Sequence, residues 1–96
     1  MTVAAHCVPL PAIVKGLSPG AGAVQVFTPE QAKVLVAYVA RVTNRELPAF
    51  DTIAVLFTTD NRALVFLGNK GSVCSVIRAT ADQARAVIKG ALGEPL

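Results

Sequence analysis

Residues 51–78 are DTIAVLFTTDNRALVFLGNKGSVCSVIR, the stretch that decides the fold. Three short apolar segments, rich in β-branched residues, are separated here by two turn signals. The segments are residues 52–58, 63–67 and 73–77, and the turns are Asp60-Asn61 and Asn69-Lys70-Gly71. Apolar runs of this length between such turn residues are typical of antiparallel strands joined by hairpins. The stretch therefore predicts a three-stranded meander.

The same start signal predicts a helix on each side of the meander. Thr28-Pro29-Glu30-Gln31 and Thr80-Ala81-Asp82-Gln83 both place a threonine three residues before a glutamine, which is the pattern of a capping box. The first helix must end by Pro48, because proline cannot continue a helix. The second is expected to run through Leu92 and end at one of the two glycines near it.

A short helix over residues 9–14 and a strand over residues 23–27 are predicted ahead of the first capping box, separated by the glycine- and proline-containing loop 18–22. The predicted fold class is α+β, in one domain of residues 1–96 with the order α-β-α-β-β-β-α. We expect an antiparallel sheet of about four strands with the two capped helices packed on one face.

Neither face of the predicted sheet is polar. Ile53 and Val55 lie on one face, and we expect Leu56, Val65 and Leu67 to lie on the other. An antiparallel sheet with one face in water alternates apolar and polar residues, so both faces must be covered. The two long helices cover one of them. The other requires the short first helix, the N-terminal segment or another protein, and we predict an interface with a partner or a second copy at Leu56, Val65 and Leu67.

Cys7 and Cys74 are the only cysteines of the chain. A disulfide between them would close a long loop and stabilise the fold by about 4 kcal/mol in the chain-entropy model. Small exported domains favour such bridges. The alternative is a pair of buried thiols in a cytosolic protein, because cysteine packs well as a small apolar residue.

The sequence predicts no catalytic, metal-binding or cofactor site. His6 beside Cys7 suggests a thiol and its base, but adjacent residues of an extended segment point to opposite sides. One histidine and two cysteines are too few ligands for structural zinc. Residues 68–72 contain the residue types of a phosphate loop, but they lead into a strand, whereas a phosphate loop begins a helix.

Charge and hydropathy exclude two classes of partner. The net charge of +3 comes from basic residues spread singly along the chain, without interleaved aromatic residues, which argues against a nucleic-acid-binding surface. No apolar run approaches the roughly 18 to 20 residues that cross a bilayer. We therefore expect neither nucleic-acid binding nor membrane insertion.

Four short sequence features follow one another along the chain. They are Cys7-Val-Pro-Leu-Pro, the Thr28-Pro-Glu-Gln helix start, Gly71-Ser-Val-Cys74 and the final capped helix. In this order they resemble small uncharacterised exported proteins of Gram-negative bacteria with a single cysteine pair. The resemblance implies a periplasmic or secreted location and a bridge between Cys7 and Cys74.

The function that the sequence favours is a non-enzymatic binding or interaction module outside the cytosol, acting through a sheet face or edge. A protein partner or a second copy would bind there. One alternative is a cytosolic homodimeric regulator or adaptor with reduced thiols. Another is a thiol-dependent enzyme acting at Cys7 and His6.

Overall fold

The computed structural model describes residues 7–17 and 20–93. Within them lie five strands and three helices, in the order β1 (Val8–Pro9), α1 (Leu10–Gly16), β2 (Gly22–Val26), α2 (Pro29–Thr43), β3 (Thr52–Thr58), β4 (Arg62–Asn69), β5 (Ser72–Thr80) and α3 (Ala81–Leu92). The α+β fold class is confirmed, and the predicted order holds with one strand added at its start.

The strands form one antiparallel sheet in the order β1-β5-β4-β3-β2. The predicted meander is its centre, and β2 pairs with the outer side of β3. The sheet has a fifth strand because Val8 and Pro9 pair with Val73 and Ser72. A strand this short that contains proline leaves almost no pattern in a sequence, which is why it was not predicted.

The hairpin between β4 and β5 is fixed by its turn and by a brace from β3. Lys70 and Gly71 both have positive φ angles, 56° and 81°. Two such residues between paired strands make the turn whose twist matches the strands. The Lys70 amide donates to Asp51 Oδ1 and the Gly71 amide donates to Thr52 Oγ1, each at 2.8 Å. These bonds tie the start of β3 to the turn that joins its neighbour β4 to β5.

Both predicted capping boxes are confirmed. The Gln31 amide donates to Thr28 Oγ1 at 3.1 Å, and the Thr28 amide donates to Gln31 Oε1 at 3.0 Å. Thr80 and Gln83 exchange the same two hydrogen bonds, each at 3.1 Å. The side chains thereby satisfy amides that have no partner inside the helix.

An apolar core lies on each face of the sheet. On the face that we call the two-helix face, Ile53, Val55 and Leu67 pack with buried residues of α2 and α3. On the opposite face, the α1 face, Leu56 and Phe66 form a second cluster with Leu10 of α1, against which Ile13 of the same helix packs. Of the three covers considered from the sequence, the short first helix is therefore the one found on the second face.

Candidate functional site

The three predicted interface residues do not share a face. Leu56 lies on the α1 face and is 3% exposed. Val65 and Leu67 pair with Val55 and Ile53, so they belong to the two-helix face. Their predicted face is wrong because alternation within one strand does not fix its register against the next. The turn between β3 and β4 sets that register.

The two cysteines meet at the β1–β5 edge of the sheet. Their Cα atoms are 4.3 Å apart and their sulfur atoms lie at disulfide-bonding distance. Cys74 is the extra residue of a β-bulge, since Leu67 pairs with Ser75 whereas Gly68 pairs with Val73. The predicted pairing of Cys7 with Cys74 is thus found. His6, named with Cys7 in the thiol-enzyme alternative, lies outside the described residues.

An apolar cleft of about 250 Å³ lies between the two long helices and the sheet. Strands β3, β4 and β5 form its floor, α2 and α3 form its walls, and the segment after α2 contributes two side chains. The floor consists of Ile53, Val55, Val65, Leu67, Ile77 and Ala79; the walls are Leu35, Val36, Val39, Gln83, Ala84, Val87 and Ile88; the segment adds Leu47 and Phe50.

The cleft exists because the helices meet each other before they fill the space above the strands. Tyr38 of α2 packs against Gly90 of α3, where a Cβ atom on the glycine would overlap the tyrosine ring. The walls of the cleft include several short side chains, such as Val36, Val39 and Ala84. These side chains are too short to close the volume that the crossing leaves.

The surface that lines the cleft is apolar. Gln83 is the one polar residue among the lining residues, and its Oε1 accepts the Thr80 amide in the capping box. The cleft is therefore suited to apolar groups. Within residues 7–17 and 20–93, no group of three or more His, Cys, Asp or Glu residues is placed to hold a metal ion.

The lining of the cleft is exposed to solvent in two places, beside Leu47, which is 38% exposed, and at the β5 side of the sheet. Ile77 lines it and is nevertheless 52% exposed. This exposure follows from the pairing of β5, since β1 covers only Ser72 and Val73. Among the described residues, no strand pairs with the outer side of residues 75–80. An unpaired strand edge and an apolar cleft thus lie side by side.

Sequence reasoning missed the cleft. The available signal was the small size of the side chains on the inner faces of both capped helices, since Val36, Val39 and Ala84 occupy positions where larger residues would fill a helix–sheet interface. A second signal, for the open edge of β5, was the adjacent apolar pair Val76 and Ile77. Adjacent strand residues face opposite sides of a sheet, so β5 is apolar on both faces here.

No helix in the described part of the chain is both long and apolar enough to cross a membrane. Comparisons with protein-family models, with curated proteins and with solved structures give no match.

Proposed function

We propose that this protein is a non-enzymatic binding module that holds an apolar side chain in the cleft. One observation supports this above all: a cavity of about 250 Å³ that reaches solvent and whose lining is apolar apart from the engaged Gln83. An apolar cavity of about 150 Å³ accepts benzene. Drug-sized ligands and cofactors fill about 300 to 1,000 Å³. The volume suits one aromatic or aliphatic side chain, and hence a protein partner.

Toluene provides a direct test, because it is the phenylalanine side chain without its backbone. We expect saturable shifts of backbone amide resonances in residues that line the cleft, and no shifts with the polar analogue benzamide at the same concentration. Val39→Phe places a ring inside the cleft and should abolish toluene binding. Val42→Phe adds the same ring one turn further along α2, where Val42 is 62% exposed, and should leave binding unchanged.

Two outcomes would contradict this function. One is a set of shifts that do not saturate or that map outside the cleft. The other is unaltered toluene binding by Val39→Phe. Unfolding curves of both variants must be recorded first, because a partly unfolded Val39→Phe protein would lose binding for a trivial reason. If Val39→Phe is unstable, Val36→Leu, which adds one methylene to the same wall, takes its place.

We propose further that the module acts outside the cytosol, in the periplasm or as a secreted protein. The support is the Cys7–Cys74 pair, since disulfides persist mainly in oxidising compartments. The competing proposal is a cytosolic regulator with reduced thiols. Protein taken from its natural host and alkylated under denaturing, non-reducing conditions separates the two, because denaturation exposes any buried thiol to the reagent. No alkylated cysteine is expected for the exported module, and two alkylated cysteines would overturn it.

A further inference from the structure

We propose that the outer edge of β5 binds an extended, acidic segment of a partner protein, which adds as a strand and inserts one apolar side chain into the cleft. This inference rests on the proposed binding function and names its partner. It joins two features that adjoin in the structure, the open strand edge and the mouth of the cleft.

The edge has the length that strand addition requires. β5 extends from Ser72 to Thr80, but β1 covers only its first two residues. Residues 75–80, which have no outer partner strand among the described residues, span roughly 20 Å. Edge strands present unpaired N–H and C=O groups, and proteins usually protect them with a bulge, a proline or a cover. Here the bulge lies at the covered end, next to Gly68.

The exposed side chains of β5 show which residues of an added strand would face the cleft and which would face the α1 side. Ile77 pairs with Val65 and faces the cleft, whereas Val76 pairs with Phe66 and faces the α1 side. Both are 52% exposed, because no strand within residues 7–17 and 20–93 shields them. Side chains of an added strand alternate in the same way. Its residue beside Ile77 would therefore lie at the mouth of the cleft, and the residues before and after it would face the opposite side.

The positive charge of Arg78 indicates that the added strand carries an acidic residue. Arg78 lies next to Ile77 on the α1 side of the exposed edge, where its inner neighbour is Leu64. The ion pairs found among the described residues join Arg62 to Asp60 and Arg85 to Asp82, so Arg78 has no described carboxylate partner. An acidic residue of the added strand would supply one. Because β5 contains no Asp or Glu, a second copy paired through β5 could not.

A capped peptide, acetyl-Thr-Val-Glu-Phe-Val-Thr-amide, follows from these positions. Bound antiparallel to β5, it sets Phe beside Ile77 and Glu beside Arg78. We expect fluorescence anisotropy of a labelled copy to show saturable binding. Replacing Phe by Ala should weaken binding about ten-fold or more, because a buried aromatic side chain is lost. Replacing Glu by Lys should weaken it about three-fold or more at low salt.

Two matched controls separate strand addition from unspecific adhesion. The variant Arg78→Glu should reverse the preference, so that it binds the Lys peptide more tightly than the Glu peptide. N-methylation of alternate backbone nitrogens should abolish binding for one alternate set and preserve it for the other, because only one set faces β5. The changes in the peptide leave the protein unaltered, so loss of folding cannot explain their effects.

Failure of this inference differs from failure of the proposed function. If toluene enters the cleft but the peptide does not bind, strand addition is overturned and the binding cleft stands. Equal affinity for the Glu and Lys peptides overturns the acidic partner. A dimer in light scattering that Val76→Lys disrupts assigns the edge to a second copy, and peptide binding only after deletion of residues 1–6 assigns it to the chain itself. Either result overturns the proposal.

Discussion

Gly68 is a position where the sheet has no room for a side chain. At the bulge, a Cβ atom on this residue would overlap the carbonyl oxygen of Ser72 in the neighbouring strand. Both atoms belong to backbone, so neither can move aside cheaply. The sequence alone shows only a glycine before a turn. A larger residue is excluded by the backbone of β5, a strand that follows Gly68 in the chain.

Gly68→Ala should therefore lower the free energy of unfolding by about 2 kcal/mol, as overpacking of a close contact does. Gly20→Ala is the matched control, because a Cβ atom there meets nothing within 4 Å. Urea unfolding of both variants measures the difference. Equal stabilities would contradict the close approach of β4 and β5 at the bulge.

Asp60 gives a pH dependence with a definite sign. The Thr58 hydroxyl donates to its carboxylate, and this bond, assisted by Arg62, lowers the pKa of Asp60 below its ordinary value of 3.8. A carboxyl whose pKa is lower in the folded state stabilises the fold above its unfolded pKa and loses this contribution as pH falls through the folded pKa.

We expect the stability advantage of the natural chain over Asp60→Asn to be present at pH 6 and to shrink below about pH 4. The effect is small because Asp60 is on the surface. Urea midpoints of the two proteins across this pH range provide the measurement. An advantage that grows on acidification would have the wrong sign for the hydrogen bond from Thr58.

The helix starts are the elements that local sequence predicts best. Each capping box needs only four consecutive residues, and the threonine and glutamine that exchange the hydrogen bonds are both within them. Thr28→Ala and Thr80→Ala should each cost about 1 kcal/mol of stability. Thr→Ser at the same positions keeps the hydroxyl and should cost much less. Chemical unfolding measures these differences. Two alanine variants with unchanged free energies of unfolding would contradict the observed caps.

Strand pairing is predicted less well than the helix starts because it depends on partners distant in the chain. The alternation of β4 correctly separates Val65 and Leu67 from Phe66, but the turn at residues 59–61 decides which side of β3 they join. The cleft is predicted less well still. Its lining residues come from five elements and the segment after α2, and the two helices that wall it meet where Tyr38 contacts Gly90. No local sequence pattern specifies that contact.

At the scale of the molecule, the cysteine pair joins the start of the described chain to the last strand. The bridge spans a sequence separation of 67 residues. It should contribute about 4 kcal/mol by restricting the unfolded chain, and it also holds β1 beside β5 and thereby the start of α1. The double variant Cys7→Ser, Cys74→Ser should unfold at a clearly lower temperature than the oxidised protein. Identical midpoints for the two would show that the bridge does not stabilise the fold.

We propose that the cleft beside β5 receives an apolar side chain of a partner strand. The most direct measurement is the ratio of affinities for the Phe and Ala forms of the peptide, in the natural chain, in Val39→Phe and in Val42→Phe. We predict a ratio of about ten or more in the natural chain and in Val42→Phe, and a ratio near one in Val39→Phe, where the ring already occupies the cleft. A ratio near one in the natural chain, or an undiminished ratio in Val39→Phe, would contradict the account.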